Sequence, residues 1–104
     1  MNDKVNWLTH VFSVYDADKV TWNEVGGVYI FCRVNRQNQW APLYIGQADS
    51  LKTRLPCHDR WEEARRLGAT HVHARVVQQE ETRLQVEREL IQTWQPPMNT
   101  HHCE

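Results

Sequence analysis

Three residues near the middle of the chain are of types that suit work on a phosphate group. Tyr44 has an ionisable hydroxyl, Gly46 allows the backbone to turn, and Arg54 has a guanidinium that binds phosphate through paired hydrogen bonds. All three lie in WAPLYIGQADSLKTRL, residues 40–55. This stretch predicts a strand that ends near Tyr44, a turn at Gly46, and a short helix that brings Arg54 back to the same place. The alternative roles are packing, turn and surface.

Glu87 is the carboxylate least explained by ordinary packing. Residues 80–94 have helical spacing, and at about 100° per residue Glu87 lies inside an apolar arc. An unpaired carboxylate at such a position is costly. Two interpretations are open: an ion pair with Arg83, one turn earlier, or a metal ligand or catalytic acid at a cleft. The arc consists of Leu84, Val86, Leu90, Ile91 and Trp94.

Histidines and tryptophans provide weaker signals. His71 and His73 are two residues apart on a predicted strand, where they form either a metal-binding pair or a polar sheet face. The terminal run 101–103, His-His-Cys, is either a metal binder or a frayed tail. The tryptophans at 22, 40 and 61 either pack in the core or stack on bases.

A hairpin is predicted around the two tyrosines. GGVYIFCRV, residues 26–34, is rich in β-branched and aromatic residues and follows two glycines, which is typical of a buried strand. The polar run 35–39 predicts a turn, and residues 40–47 predict the return strand. Pro42 has no N–H for a ladder hydrogen bond, so it is expected at an edge or a bulge.

Two helices, a third strand and a last helix follow the hairpin. Asp49 or Ser50 caps a helix to about residue 55, and Asp59 opens a second helix that ends at Gly68. Residues 69–77 alternate in polarity and predict a half-buried strand. The helix over 80–94 ends before two prolines.

The predicted fold class is therefore α+β, a small three-stranded antiparallel sheet flanked by helices in the order β-β-α-α-β-α. Residues 4–15 fit a short helix or a strand equally well. We predict an N-terminal extension over 1–25 that packs on a domain over 26–104.

Composition restricts the protein class. The chain has 104 residues, of which 40% are hydrophobic and 24% charged, as in a globular protein of one domain. No apolar run approaches the ~20 residues of a membrane span, and there is no signal-peptide pattern at the start. Three cysteines without a CxxC spacing predict a reducing, cytoplasmic location. The net charge of −1 means that any grip on nucleic acid comes from a local patch or a partner.

Four motifs in order resemble the GIY-YIG nuclease superfamily, here as a small stand-alone domain. They are GVY at 27–29, YIG at 44–46, Arg54 ten residues after Tyr44, and the set Glu87, Ile91, Pro96 and Asn99. Members of this superfamily include the incision subunit of bacterial nucleotide excision repair, intron homing endonucleases and some restriction enzymes. The resemblance thus points to DNA repair or a mobile element.

The resemblance implies endonucleolytic hydrolysis of DNA, with a single Mg²⁺ or Mn²⁺ ion, leaving 5′-phosphate and 3′-hydroxyl ends. By resemblance, Glu87 binds the metal and Arg54 steadies the scissile phosphate. His58 matches a histidine of several members, and Asn99 matches the closing asparagine of the family. The other matching positions are the motif tyrosines Tyr29 and Tyr44 and the backbone positions Gly27 and Gly46.

Several points stay open at this stage. The general base is Tyr29, Tyr44 or His58. Gln47 stands where the family often has lysine, and with Lys52 it is a candidate phosphate contact. The remaining candidate phosphate contacts are Arg33, Arg36, Arg60, Arg65 and Arg66.

The alternative function is a catalytically weak or inactive GIY-YIG-fold protein that binds nucleic acid or acts as an adaptor. A third option is a nuclease that needs a homodimer or a protein partner for its grip on DNA. Branched or structured DNA is one candidate substrate. No membrane association is expected.

Overall fold

The computed structural model describes residues 3–99 and shows an α+β fold with one antiparallel sheet. The spatial order of the strands is β1-β2-β5-β3-β4. The strands are β1 Lys4–Trp7, β2 His10–Asp16, β3 Gly27–Val34, β4 Trp40–Ala48 and β5 His71–Val76. The helices are α1 Leu51–Arg54, α2 Trp61–Arg66 and α3 Glu80–Trp94, followed by a 3₁₀ turn over Pro97–Asn99. Within residues 3–99, no helix is long and apolar enough to cross a membrane.

The prediction of three strands is wrong, because the sheet has five. The two additional strands, β1 and β2, come from the segment that fitted a helix or a strand equally well. They turn at Leu8, which adopts a φ of 58°, and β2 then pairs with β5, about sixty residues further along the chain. Such a distant partner leaves no local signal in the sequence. The division into an extension over 1–25 and a domain over 26–104 stays a prediction.

The β3–β4 hairpin confirms the predicted pairing around the two tyrosines. Tyr29 lies opposite Gly46, and Phe31 lies opposite Tyr44. β4 is an edge strand of the sheet, and the register shifts between Phe31 and Cys32, next to Pro42. Pro42 therefore occupies both the edge and the bulge that its missing N–H predicts.

β5 is the central strand of the sheet, and its middle residues Val72, His73 and Ala74 are buried rather than half-buried. His73 is 0% exposed, and its Nδ1 accepts a hydrogen bond of 2.9 Å from Trp7 Nε1. The ring of Trp40 contacts both His71 and His73, with centroids 5.0 and 4.5 Å apart. His73 is thus part of the core, and the prediction of a polar sheet face is wrong for it.

The ends of the helices differ in part from the predicted caps. The Ser50 hydroxyl caps α1 by accepting from the Thr53 N–H, so Ser50 rather than Asp49 is the cap. Asp59 does not open α2, whose first residue is Trp61. Gly68 follows α2 with a φ of +105°, a left-handed conformation that favours glycine. α3 has the predicted bounds, and the terminal run 101–103 lies outside the described residues.

Candidate active site

Gly46 leaves space for the ring of Tyr29. A Cβ placed on Gly46 would lie 2.5 Å from the Tyr29 hydroxyl oxygen and 2.6 Å from its Cζ. Gly46 lies inside β4, which continues to Ala48, so the prediction of a turn at this glycine is wrong. The glycine is needed because the Tyr29 side chain crosses the neighbouring strand at this point. The YIG glycine thus helps to position the tyrosine of GVY.

Replacing Gly46 by alanine is expected to displace Tyr29 from its hydrogen bond to His58. Overpacking of this kind costs about 1–3 kcal/mol of unfolding free energy, and a side chain misplaced by about 1 Å loses about 100-fold in catalytic rate. Urea unfolding and DNA cleavage assays measure the two effects. Ala41→Gly in the same strand is the control for backbone changes, and equal behaviour of the two variants would contradict this role of Gly46.

His58 holds the Tyr29 hydroxyl through a bond whose direction is set by the backbone. Nε2 of His58 lies 2.7 Å from the Tyr29 oxygen, and Nδ1 accepts a hydrogen bond of 3.0 Å from the Arg60 backbone N–H. A neutral imidazole carries one proton, which is therefore on Nε2 and is donated to Tyr29. Burial, and next the charge of Arg54, lower the pKa of His58 to about 4. His58 is thus a neutral hydrogen-bond donor at pH 7.

Stability should fall on acidification because of His58 and His73. Burial lowers the pKa of each imidazole from 6.5 to about 4 in the folded protein. Between these pH values the unfolded chain binds more protons, so the free energy of unfolding decreases as pH falls from about 6.5 to 4. Urea titrations over this range should show a smaller slope against pH in His58→Gln and in His73→Gln. An unchanged slope in both variants would refute the linkage.

Tyr44 shares the cluster but has more contact with solvent than Tyr29. It is half-buried, whereas Tyr29 is 1% exposed. The Tyr44 ring centroid lies 6.4 Å from that of Tyr29 and 5.5 Å from that of His58. Burial raises the pKa of both tyrosines, and the charges of Arg60 and then Arg54 oppose this for Tyr44. Of the two hydroxyls, that of Tyr44 is the one better placed to meet a substrate.

Arg60 belongs to this cluster, although the sequence suggested only a phosphate contact for it. Its Cζ lies 5.3 Å from the centroid of the Tyr44 ring, a cation–π arrangement. One Nη donates to the Met98 carbonyl and Nε donates to Glu63, so the guanidinium is fixed from two sides. The one feature of the sequence that could have indicated this role of Arg60 is its position two residues after His58.

Arg54 has a guanidinium that is held but still accessible. Its Nη2 donates a 2.8 Å hydrogen bond to Asp59 Oδ1, and its side chain is 41% exposed. Asp59, predicted as a helix cap, is thus an orienting partner for Arg54. The positive charge of Arg54 lowers the pKa of Tyr29 against the larger effect of burial, which places the guanidinium near that hydroxyl.

Glu87 does not form the ion pair with Arg83, so that interpretation is wrong. Among residues 3–99 its half-buried carboxylate has neither a salt bridge nor a hydrogen bond. Burial raises its pKa, and the nearby Arg88 acts in the opposite direction. Its negative charge also raises the pKa of Tyr29 and Tyr44. A carboxylate without a partner therefore lies close to both tyrosines.

Asn99 and Gly27 hold strands of the sheet in place. The Asn99 side chain accepts from the Ile45 N–H at 2.8 Å and donates to the Ile45 carbonyl at 2.9 Å. Both polar ends of the amide are thus used to hold β4 between Tyr44 and Gly46. At Gly27, a Cβ would lie 2.6 Å from the Arg75 carbonyl oxygen, so this glycine allows close pairing with β5.

Next to Arg54 is an open cleft of about 430 Å³. Gln47 lines it and accepts a 3.0 Å hydrogen bond from Arg83 Nε. Lys52 is exposed on α1 and is not part of the lining. The cleft is lined by Gln47, Ala48, Asp49, Ser50, Thr53, Arg54, Glu80 and Arg83.

Solved structures show to which family this arrangement belongs. The GIY-YIG N-terminal endonuclease domain of UvrC from Thermotoga maritima, bound to its catalytic divalent cation magnesium, is 30% identical over 76% of this chain and 88% of that one, with a TM-score of 0.62. A point mutant of that domain, also with its catalytic divalent cation, is 31% identical over 77% and 88%, with a TM-score of 0.61. Another point mutant is 28% identical over 73% and 83%, with a TM-score of 0.60.

No family model and no curated protein matches the chain. The solved domains nevertheless align with this chain along most of their length. In this chain, GVY lies on β3, YIG on β4, Arg54 on α1 and Glu87 on α3. At this identity and coverage the relationship extends beyond a shared fold. The chain belongs to the GIY-YIG nuclease superfamily.

Proposed function

We propose that this protein is a metal-dependent endonuclease that hydrolyses phosphodiester bonds of DNA and leaves 5′-phosphate and 3′-hydroxyl ends. The observation that carries the proposal is the convergence of an accessible guanidinium, two tyrosines and a carboxylate that has no partner among residues 3–99. The similarity to a UvrC endonuclease domain that holds a catalytic divalent cation supports it.

Glu87 is the residue that fits a divalent cation. Its carboxylate is half-buried without a partner in residues 3–99, and burial raises its pKa, so a bound cation would relieve the cost of ionising it. Mg²⁺ binds proteins through one or two carboxylates and keeps several waters, and Mn²⁺ accepts the same oxygen ligands. When bound, the ion would supply charge stabilisation to the phosphate and the leaving oxygen.

Arg54 would bind the scissile phosphate. Its side chain is 41% exposed, and its Nη2 donates to Asp59. The guanidinium has donors left for two phosphate oxygens, which is the arrangement that gives arginine strong and directional phosphate contacts. Asp59 would keep the plane of the guanidinium oriented before the substrate arrives.

Tyr44 is the general base that this geometry favours. His58 is a poor base because Arg60 occupies Nδ1 and the pKa of the imidazole is about 4. Tyr29 is 1% exposed and accepts from His58. Tyr44 is more accessible, and the charges of Arg60 and Arg54 favour its ionised form. Neutralising the charge of Glu87 would lower the pKa of Tyr44 further, because that charge raises it.

The test is cleavage of supercoiled plasmid and of branched DNA by the purified protein, with Mg²⁺ or Mn²⁺ and with EDTA. We expect nicks only with the metal, and we expect DNA ligase to reseal them, because ligase needs a 5′-phosphate and a 3′-hydroxyl. Nicks that ligase cannot reseal would refute the proposed ends. Binding without cleavage on every substrate would instead support the adaptor function, or a nuclease that requires a partner.

A further inference from the structure

Arg83 is a buried cation that has no anionic partner in the described part of the chain. It lies in the first turn of α3 and is 4% exposed. It donates to Gln47 Oε1 at 3.0 Å, to the Val77 carbonyl at 3.3 Å and to the Gln78 carbonyl at 3.0 Å. None of the salt bridges in residues 3–99 includes it. Burying a guanidinium among neutral groups is unfavourable, so a ligand that brings negative charge would complete the site.

The guanidinium keeps one nitrogen free. Nε and Nη1 make the three hydrogen bonds above, and Nη2 has no partner within the described chain. In residues 3–99, the fully buried side-chain polar atoms without a partner are His73 Nε2 and Arg75 Nε. Arg83 Nη2 is not one of them, so it keeps some contact with solvent. Arg83 lines the cleft beside Arg54, and Nη2 is the guanidinium nitrogen whose donors are left for a ligand there.

The surroundings hold this guanidinium rigidly in place. A Cβ on Gly26 would collide with Arg83 Nη1, so the glycine makes room for the group. Gln47 fixes it from β4, and the carbonyls of 77 and 78 fix it from the loop before α3. A side chain that is already ordered loses little conformational entropy when it binds a ligand.

The cleft connects Arg83 with the proposed catalytic site. Arg54 lines both, and the hydroxyls of Ser50 and Thr53 add further hydrogen-bonding groups. A volume of about 430 Å³ lies within the range of small-ligand sites, about 300–1,000 Å³. The exposed carboxylates of Asp49 and Glu80 also line the cleft and oppose an anion there.

We propose that this cleft binds a phosphodiester group next to the scissile one on the same DNA strand, with Arg83 Nη2 as donor to its oxygens. Arg54 and Arg83 then hold two successive phosphates and fix the direction of the strand across the tyrosines. The inference rests on the proposed function, because Arg54 defines where the scissile phosphate lies.

The experiment is DNA binding by fluorescence anisotropy in EDTA, where no cleavage occurs, over a series of salt concentrations. Arg83→Gln should weaken binding of a short DNA duplex about tenfold and reduce the slope of log affinity against log salt by about 0.9, the value for one phosphate contact. The matched control is Arg88→Gln, which removes the same charge from the exposed face of α3. Circular dichroism verifies that each variant folds.

Glu80→Gln gives a second test that does not disturb a buried group. Removing this exposed carboxylate from the cleft should tighten binding about two- to threefold, the effect of one exposed charge, whereas Glu81→Gln outside the cleft should not. If Arg83→Gln does not fold, the effect of Glu80→Gln decides, and no change would overturn the inference.

The remaining outcomes separate the inference from the proposed function. Equal losses in Arg83→Gln and Arg88→Gln, with a wild-type protein that binds and cleaves DNA, would overturn the phosphate site and leave the nuclease function intact. A wild-type protein that neither binds nor cleaves DNA would overturn both.

Discussion

Glu87→Gln should reduce metal-dependent DNA cleavage by about a thousandfold, because the several kcal/mol of charge stabilisation that a bound ion supplies are lost. Glutamine has nearly the same shape as glutamate but carries no charge, so the neighbouring tyrosines keep their packing. The measurement is the rate of plasmid nicking at saturating Mg²⁺. The matched control is Glu81→Gln, an exposed position on the same helix.

The stability of Glu87→Gln should not fall with its activity. Burial raises the pKa of Glu87, so the folded protein favours the protonated side chain. The contribution of this side chain to the free energy of unfolding is fully present below its unfolded pKa and is lost as pH rises through the folded pKa. At pH 7 the glutamine variant should therefore be as stable as wild type or more stable.

Metal binding gives a readout that does not depend on cleavage. Mg²⁺ should raise the Tm of the wild-type protein, since a ligand that binds only the folded state stabilises it, and should leave the Tm of Glu87→Gln unchanged. An equal metal-induced shift in both proteins would place the ion elsewhere, and full nicking activity in the variant would remove Glu87 from the site.

Arg54→Ala should reduce the cleavage rate by about a thousandfold, the lower range for an arginine that stabilises a phosphoryl transition state. Arg54→Lys keeps the charge but loses the paired donors, so it should recover only part of the rate. The ion pair with Asp59 is exposed and contributes about 0–1 kcal/mol, so both variants should unfold at nearly the wild-type urea concentration.

Lys52→Ala is the comparison that separates catalysis from general attraction to DNA. Lys52 lies on the same helix, is exposed and does not line the cleft. We expect a weaker, salt-dependent binding in this variant with an unchanged rate at saturating DNA. If Lys52→Ala and Arg54→Ala had equal effects on the saturated rate, Arg54 would have no specific role at the scissile phosphate.

Some site residues were predictable because their signals are local. Tyr29 and Tyr44 lie on two strands joined by a short turn, so the local sequence predicts that these two strands form a hairpin. Glu87 was conspicuous because a carboxylate on an apolar helical arc conflicts with the cost of burying charge. The helix around it has the predicted bounds, since the apolar repeat and the prolines after it are also local signals.

Other roles were not predictable because they depend on residues distant in the sequence. Gly46 looked like a turn residue, and only the register with β3 shows that the Tyr29 ring occupies its missing side-chain space. The residues around Asp59 are typical of a helix start, but its carboxylate accepts a hydrogen bond from the Arg54 guanidinium instead of capping a helix. Nothing near Arg60 in the sequence indicates that it lies over Tyr44.

The sequence by itself determined the hairpin, the last helix and the family motifs, because short turns, side-chain periodicity and the order of motifs are properties of the chain alone. The tertiary structure decided the five-stranded sheet, since β1 and β2 have their partner in β5. It also decided the direction of the His58–Tyr29 hydrogen bond. Within residues 3–99 it leaves Glu87 and Arg83 without an ion pair. These properties depend on which groups from distant parts of the sequence are buried together. In a buried environment, the hydrogen-bond partners that are present determine where each proton lies and how unfavourable each charge is.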